Sequence, residues 1–534
     1  MAKVTFRFEE GEPVVTYATE GERLLEVAQK SNVPIDAPCS GNASCGKCRV
    51  RLVSGELDSK ITRHISEEEY QNGWRLACVS TVKGDVEVEV PDIASAYRSR
   101  MKVADLSSPS EIAIFEDTKK KITDAGLELK NSMQVITISM EEPTLDDTMP
   151  DNERVTWAVQ AATGLDRVRI PYSVLKKMPD VLRESHFQAQ CVVRVTANDV
   201  FLYDMLPMEA KAVVGGLVVD IGTTTVSALI VDMLSGEILA KASSGNGQIR
   251  YGADVINRII ETTKPGGIKK LQDAVIKETI NPMIHEMCRS IHLPENQIYR
   301  MCVASNTTMN HLFAGINADY LRTEPYIPAF FKTNSLFASD VGIEINGDAH
   351  IIMAPNIGSY VGGDITAGTL VSMIWNRPEF SLFIDLGTNG ELVFGNSDFM
   401  MSCACSAGPA FEGGNISCGM PGVPGAVCRA VLFGKNNMVT KTIGNKPAIG
   451  LCGTGIIDVM YELVRHHIVD TQGILGEPWF EKGFPVVPGK IYFTQEDIRQ
   501  VQMAKAAICA GLEVLLQKSN ISHEQIKKVY VAGG

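Results

Sequence analysis

No stretch of this chain is apolar for long enough to cross a bilayer, and its start, MAKVTFRFEE, carries no apolar export segment. Both absences speak against a helical membrane protein and an exported one, so a soluble cytoplasmic protein is expected. There is no basic block, and the net charge is −13 at pH 7. Neither nucleic acid nor an anionic membrane is therefore expected as a main partner. The glycine-rich turns described below come without a Walker A lysine or a G-x-G-x-x-G, which removes the P-loop and Rossmann solutions to nucleotide binding. What remains is ordinary for globular chains, with 45% hydrophobic and 21% charged residues. At 534 residues, several domains are expected.

The thirteen cysteines are spread unevenly. Four of them, Cys39, Cys45, Cys48 and Cys78, read C-x5-C-x2-C-x29-C. Three crowd one loop of small residues, and that suits an iron–sulfur cluster. The thiolates must converge on irons a few ångströms apart, and Gly41, Ala43, Ser44 and Gly46 let the backbone wrap closely. The plant-type spacing is C-x4-C-x2-C…C, so this loop is one residue longer. A structural zinc site also uses four cysteines, but two C-x-x-C knuckles are expected there and only Cys45/Cys48 form one. Disulfides do not suit a chain without an export signal. Gly41-x4-Gly46-Lys47-Cys48 nearly spells a phosphate-binding loop, yet Cys48 replaces Ser/Thr and a strand-like RVRLVSGEL follows instead of a helix. Cys191, Cys288, Cys302, Cys428, Cys452 and Cys509 read as buried thiols. A second metal site at Cys403, Cys405 and Cys418 is conceivable but lacks a fourth partner.

Around the four cysteines, Lys3–Glu9 alternates as a strand with Pro13–Thr19 as its hairpin partner, and Glu22–Lys30 has helical spacing. Ser66-x-x-Glu69 predicts a capping box, and DVEVEV (85–90) predicts a strand that Pro91 ends. This order resembles a β-grasp ferredoxin over residues 1–92. The resemblance implies Cys39, Cys45, Cys48 and Cys78 as ligands of a 2Fe–2S cluster. Residues 93–130 have weak periodicity and read as a linker with a short helix, either a swinging tether or a strap packed on the surface. Residues 131–210 predict a small α/β middle domain from SMQVITISM, QCVVRVTA, DVFLYDML and a helix near Val155–Thr163. Asp146, Asp147 and Asp151 read as a solvated turn.

Residues 214–534 contain one pattern twice. LVVDIGTTTVSALIVD runs an apolar strand into Asp220, then a Gly222-Thr223-Thr224 turn, then a second strand. LFIDLGTNGELVFG repeats this with Asp385, Gly387, Thr388 and Asn389, and the two aspartates lie 165 residues apart, at 220 and 385. Duplication at this scale signals a two-lobed fold. Glycine lets backbone approach a phosphate, the threonine hydroxyls can donate to its oxygens, and the aspartates can hold a hydrated Mg²⁺ or position a water. An ordinary hairpin turn with a capping Asp explains one copy as well, but two at matching registers much less readily.

The paired DIGTT and DLGTNGE hairpins resemble the actin-like/sugar-kinase ATPase superfamily. VYVAGG (529–534) resembles its adenosine motif, which implies an ATP site reaching Gly533 and Gly534. Those are the last residues given, so a C-terminally incomplete chain is the expectation. YGADVI (251–256), SNTTM (305–309), PNIGSYVGGD (355–364), GPAFEG (408–413), CGTGIID (452–458) and DIR (497–499) resemble, together, the reductive activators of corrinoid proteins. That resemblance spans essentially the whole chain. It implies a 2Fe–2S ferredoxin domain, linker and middle domain joined to the ATPase, with Gly362, Gly363 and Asp364 near the phosphates. Asn306 and Glu412 read as cleft residues or as turn and cap. It further implies ATP-driven one-electron reduction of a corrinoid protein from Co(II) to Co(I), a low-potential electron donor, and a homodimer. Two alternatives stand beside it: an activator of another low-potential radical enzyme, and a nucleotide-switched binding module without redox chemistry. Thr494-x-x-Asp497 predicts the cap of a helix running to about Lys518.

Overall fold

The computed structural model describes residues 2–8, 13–31, 33, 35, 46, 48–62, 64–91, 102–103, 109–128, 131–252, 254–333, 335–413, 415–420, 422 and 424–533. Cys39, Cys45 and Gly534 lie outside the described residues. Among the described residues no helix is long and apolar enough to cross a membrane.

The N-terminal unit is a five-stranded sheet. Ala2–Phe8 alternates inward Ala2, Val4 and Phe6 with outward neighbours. It pairs antiparallel with Val14–Ala18 and parallel with Thr81–Val90. Thr81–Val90 then pairs antiparallel with Arg49–Asp58, whose other neighbour is Trp74–Leu76. Helix Leu24–Lys30 covers one face with Leu24, Leu25, Val27 and Ala28. The capping box closes as its spacing predicts: Ser66 accepts from the Glu69 amide and Glu69 from the Ser66 amide, opening helix Glu67–Gln71.

The stretch read as a linker is anchored where it is described. Lys102–Val103 adds an antiparallel edge to Ile238–Gly245, and Pro109–Asp124 is helical. Then comes a four-stranded sheet in the order Met133–Ser139, Gln188–Val195, Val200–Leu206, Val168–Arg169, with helices Asp151–Thr163 and Tyr172–Glu184. Asp147 pairs with Arg154 at 2.7 Å and Asp151 with Arg183 at 2.7 Å, so these two acids brace the unit. Buried Asp204, which accepts from Tyr299 Oη at 2.8 Å and pairs with Lys177, joins it to the next sheet.

Two lobes follow, built on one plan. In the first, the hairpin Gly215–Ile221/Thr225–Asp232 is extended antiparallel by Ile238–Gly245, while Ile298–Ser305 lies parallel to its first strand. In the second, the hairpin Ser381–Leu386/Gly390–Gly395 is extended antiparallel by Met400–Cys405, while Lys528–Ala532 lies parallel to its first strand. The registers match: Asp220 pairs with Ala304 and Asp385 with Ala532. The duplication in the sequence is therefore a duplication in topology. Helix Gly363–Ser372 packs on strands of both lobes, and helix Gln495–Ser519 packs on the second sheet from a Thr494/Asp497 capping box.

Candidate functional site

At the N-terminal end, Cys48 directly precedes Arg49–Asp58 and Cys78 follows Trp74–Leu76 by two residues. Arg49 pairs with Leu76, and the Ala77 amide donates to the Cys48 carbonyl at 2.8 Å, so the ladder sets the two cysteines side by side. They are 1% and 2% exposed within the apolar core. Buried thiols suit a cluster that must be shielded from water. Gly46, at φ +66°, is pressed on His64: a Cβ there would sit 2.6 Å from the histidine Cβ. The other two cysteines of the pattern are outside the described residues.

Cys403, Cys405 and Cys418 do not come together as a metal site. Cys403 and Cys405 sit over Gly511, whereas Cys418 Sγ donates to the Tyr492 carbonyl at 3.6 Å. Among the described residues no three His, Cys, Asp or Glu side chains are placed to hold a metal ion.

The second site lies where the two duplicated turns meet. Each is closed by its glycine amide: Gly222 donates to the Thr225 carbonyl at 2.9 Å and Gly387 to the Asn389 carbonyl at 3.1 Å. The hydroxyls face one another across the lobes, with Thr224 Oγ1 3.1 Å from Thr388 Oγ1. Both donate to one carboxylate oxygen, Glu412 Oε2, at 3.0 and 2.5 Å. Glu412 ends a 3₁₀ turn, Pro409–Glu412. Thr223 is held from behind: Asn306 Nδ2 reaches its hydroxyl at 3.3 Å, while the Asn306 carbonyl-type oxygen caps helix Thr307–Phe313. Gly362 is needed because any Cβ would overlap the Asn306 Cα and Ser305 carbonyl. Gly533, at φ +127°, likewise has no room for a Cβ beside the Leu386 carbonyl.

Three carboxylates are arranged at the strand and helix ends. Asp220 and Asp385 close the first strands of the hairpins, and Asp364 sits in the first turn of helix Gly363–Ser372. Burial pushes Asp364 up to about 7, helped by the charges of Asp385 and Asp220. Burial and then the Asp385 charge push Asp220 up to about 6. Asp220 nonetheless keeps part of its surface exposed. Glu391, cross-strand from Asp385 and 7% exposed, is pushed up to about 9 by burial first and by Asp364 and Asp385 next. Such a cluster lacks only positive charge, which a hydrated divalent cation supplies.

The sign of the pH dependence follows. A carboxyl whose folded pKa is raised favours the fold while protonated, and that contribution is lost as pH rises through the folded value. With Asp364→Asn the unliganded chain is expected to gain stability relative to wild type as pH rises from about 5 to about 8. Urea midpoints across that range check it, and a constant difference between the two proteins overturns it.

Two functional residues escaped the sequence reading. Glu391 belongs to the quoted DLGTNGE turn, but nothing in the pattern shows that it faces Asp385. Arg258 is fully buried in helix Val255–Thr262 and braces the first turn, donating to the Thr223 carbonyl, to Gln248 Oε1 at 3.1 Å and to the Gly252 carbonyl at 3.0 Å. Its signal was an arginine on the apolar face of an amphipathic helix.

Four family descriptions match in succession. They are a 2Fe-2S iron-sulfur cluster binding domain (7–83), a RACo linker region (122–210), a RACo middle region (215–377), and the C-terminal domain of RACo, the ASKHA domain (379–534). The matched linker region includes the four-stranded unit described above. Among curated proteins, the corrinoid activation enzyme RamQ of Eubacterium limosum is 28% identical, over 96% of this chain and 83% of its own. The [Co(II) methylated amine-specific corrinoid protein] reductase of Methanosarcina barkeri is 24% identical, over 60% and 62%. A solved reductive activator for corrinoid, iron–sulfur protein matches all of this chain and 86% of its own, with 33% identity and a TM-score of 0.69.

Proposed function

Because the chain belongs to the reductive activators of corrinoid proteins, we propose that it uses ATP to drive one-electron reduction of a corrinoid protein's cobalt from Co(II) to Co(I). The observation that carries this is the joining, in one chain, of a four-cysteine domain to two facing copies of a D-x-G-T turn. Cys39, Cys45, Cys48 and Cys78 would hold a 2Fe–2S cluster, which supplies electrons singly and at low potential, roughly −400 mV for plant-type sites. An acceptor couple lower still would make the transfer uphill, and each ~59 mV uphill costs about 1.4 kcal/mol for one electron.

Nucleotide binding is the chain's means of meeting that cost. The hydroxyls of Thr223, Thr224 and Thr388 and the turns at Gly222, Gly387 and Asn389 would hold the phosphates. Gly362, Gly363 and Asp364 would approach from the helix between the lobes, and Gly533 with Gly534 would border the adenosine. Asp220 and Asp385 would hold Mg²⁺ through its water shell. Closure of the lobes on ATP would favour a state that binds the corrinoid protein differently from the open state, since only a differential contact can shift an equilibrium. A low-potential donor would reload the N-terminal domain, and a homodimer through the ATPase lobes is part of the same reading.

The test is anaerobic. The chain, a reductant, a Co(II) corrinoid protein and Mg·ATP are expected to give the Co(I) absorption band, with little of it when ATP is omitted. Equal Co(I) formation with and without ATP overturns the proposal.

A further inference from the structure

Two of the hydroxyls read above as phosphate ligands are already held by an anion of the protein. Thr224 of the first lobe and Thr388 of the second both donate to Glu412 Oε2, at 3.0 and 2.5 Å, and lie 3.1 Å from each other. Three separate elements meet there: the two duplicated turns and the 3₁₀ turn Pro409–Glu412. Burial raises the Glu412 carboxyl's pKa, while the two threonine bonds oppose that rise. The carboxylate thus makes the contacts that one oxygen of a bridging phosphate would make.

We propose that Glu412 is a specificity-determining residue of the nucleotide site, a carboxylate that stands in for the terminal phosphate between Thr224 and Thr388 and must be displaced by it. This rests on the nucleotide reading above. Two like charges cannot share the same pair of donors, so a triphosphate reaching between the turns expels the carboxylate, whereas a diphosphate that stops short leaves it in place.

The displacement is coupled to the second lobe. Phe411, next to Glu412, has its carbonyl against Gly453, at the start of helix Gly453–Arg465, where no Cβ could fit. Ala410 is buried in the core that also contains Ile456 of that helix and Ile498 of helix Gln495–Ser519. Moving the Pro409–Glu412 turn therefore presses on both helix starts. Occupancy by a third phosphate is felt there, and occupancy by two is not.

The experiment is calorimetric titration of the anaerobic full chain with Mg²⁺ and the imidotriphosphate analogue of ATP, and separately with Mg²⁺ and ADP. Wild type is compared with Glu412→Gln and Glu412→Ala, with circular dichroism and the N-terminal absorption bands confirming folding. Both variants are expected to bind the triphosphate about tenfold more tightly, the difference between a charged and a neutral competitor for the donors, with ADP affinity unchanged. A merely structural bridge gives the opposite sign, because its loss loosens the site for both nucleotides. Equal or weaker triphosphate binding in the variants, against a wild type that binds, overturns the proposal. A wild type that binds neither nucleotide removes the nucleotide reading itself, and this inference with it.

Discussion

Cys78→Ser is expected to bring cobalt reduction down to background while Mg·ATP binding stays at the wild-type level. Cys78 is 2% exposed and packs with Val50, Leu76 and Val88 in the core of the N-terminal sheet. Serine nearly keeps its volume but offers a poor, protonated oxygen where a soft thiolate is required. The exchange also buries a hydroxyl, at a cost of about 1–3 kcal/mol if it finds no partner, which this unit alone would bear. The lobes have their own cores, one around Val219, Ile230 and Val303 and another around Ile456, Val459 and Ile498. Among the described residues, Cys78 lies in a core distinct from those that carry the threonines facing each other between the lobes. The measurements are iron and sulfide per chain, the EPR signal after dithionite, Co(I) formation, and nucleotide affinity. Reduction at an undiminished rate without a bound cluster would remove the electron path argued here. Zinc in place of iron in the wild type would do the same, and would favour the nucleotide-switched binding module.

The alternation of short strands was the most readable feature of the sequence. SMQVITISM, QCVVRVTA and DVFLYDML give Met133–Ser139, Gln188–Val195 and Val200–Leu206. The Thr494/Asp497 cap opens a helix that ends at Ser519, one residue past its expected end. Local signals suffice there because a period of two or a capping box depends on neighbours within a few positions. Contacts between distant segments left no such trace. The Lys102–Val103 edge is two residues long, and two residues carry no pattern. Glu412 meets Thr224 across 188 positions and Thr388 across 24, so its bridging role had to wait for the lobes to be placed. The same holds for the carboxylates. Each strand-end aspartate was visible, but the crowding that raises Asp220, Asp364 and Glu391 together is a property of the folded arrangement.

Asp220→Ala is expected to cut ATP-dependent Co(I) formation by roughly 10²–10³, the loss usual when one preorganised electrostatic group is removed from a phosphoryl-transfer or acyl-transfer site. Asp220 ends a central strand, hydrogen-bonded antiparallel to Thr225–Asp232 and parallel to Ile298–Ser305, so its position is fixed from both sides. Burial and the nearby charge of Asp385 both weigh against its ionised form. Removing it takes away one anchor for hydrated Mg²⁺ and lets water and phosphate drift. It also relieves repulsion, so the unliganded variant is expected to be no less stable than wild type above about pH 6. Lower activity in an equally stable protein separates a role in chemistry from a role in folding. The absorption and EPR of the N-terminal domain are expected to be unchanged, since Cys48 and Cys78 lie in a different core. Asp220→Asn, which keeps the shape and loses the charge, is expected to follow the alanine variant. ATP-dependent reduction at the wild-type rate in both variants would show that Asp220 does not serve the nucleotide, and would shift the anchor to Asp385 and Asp364.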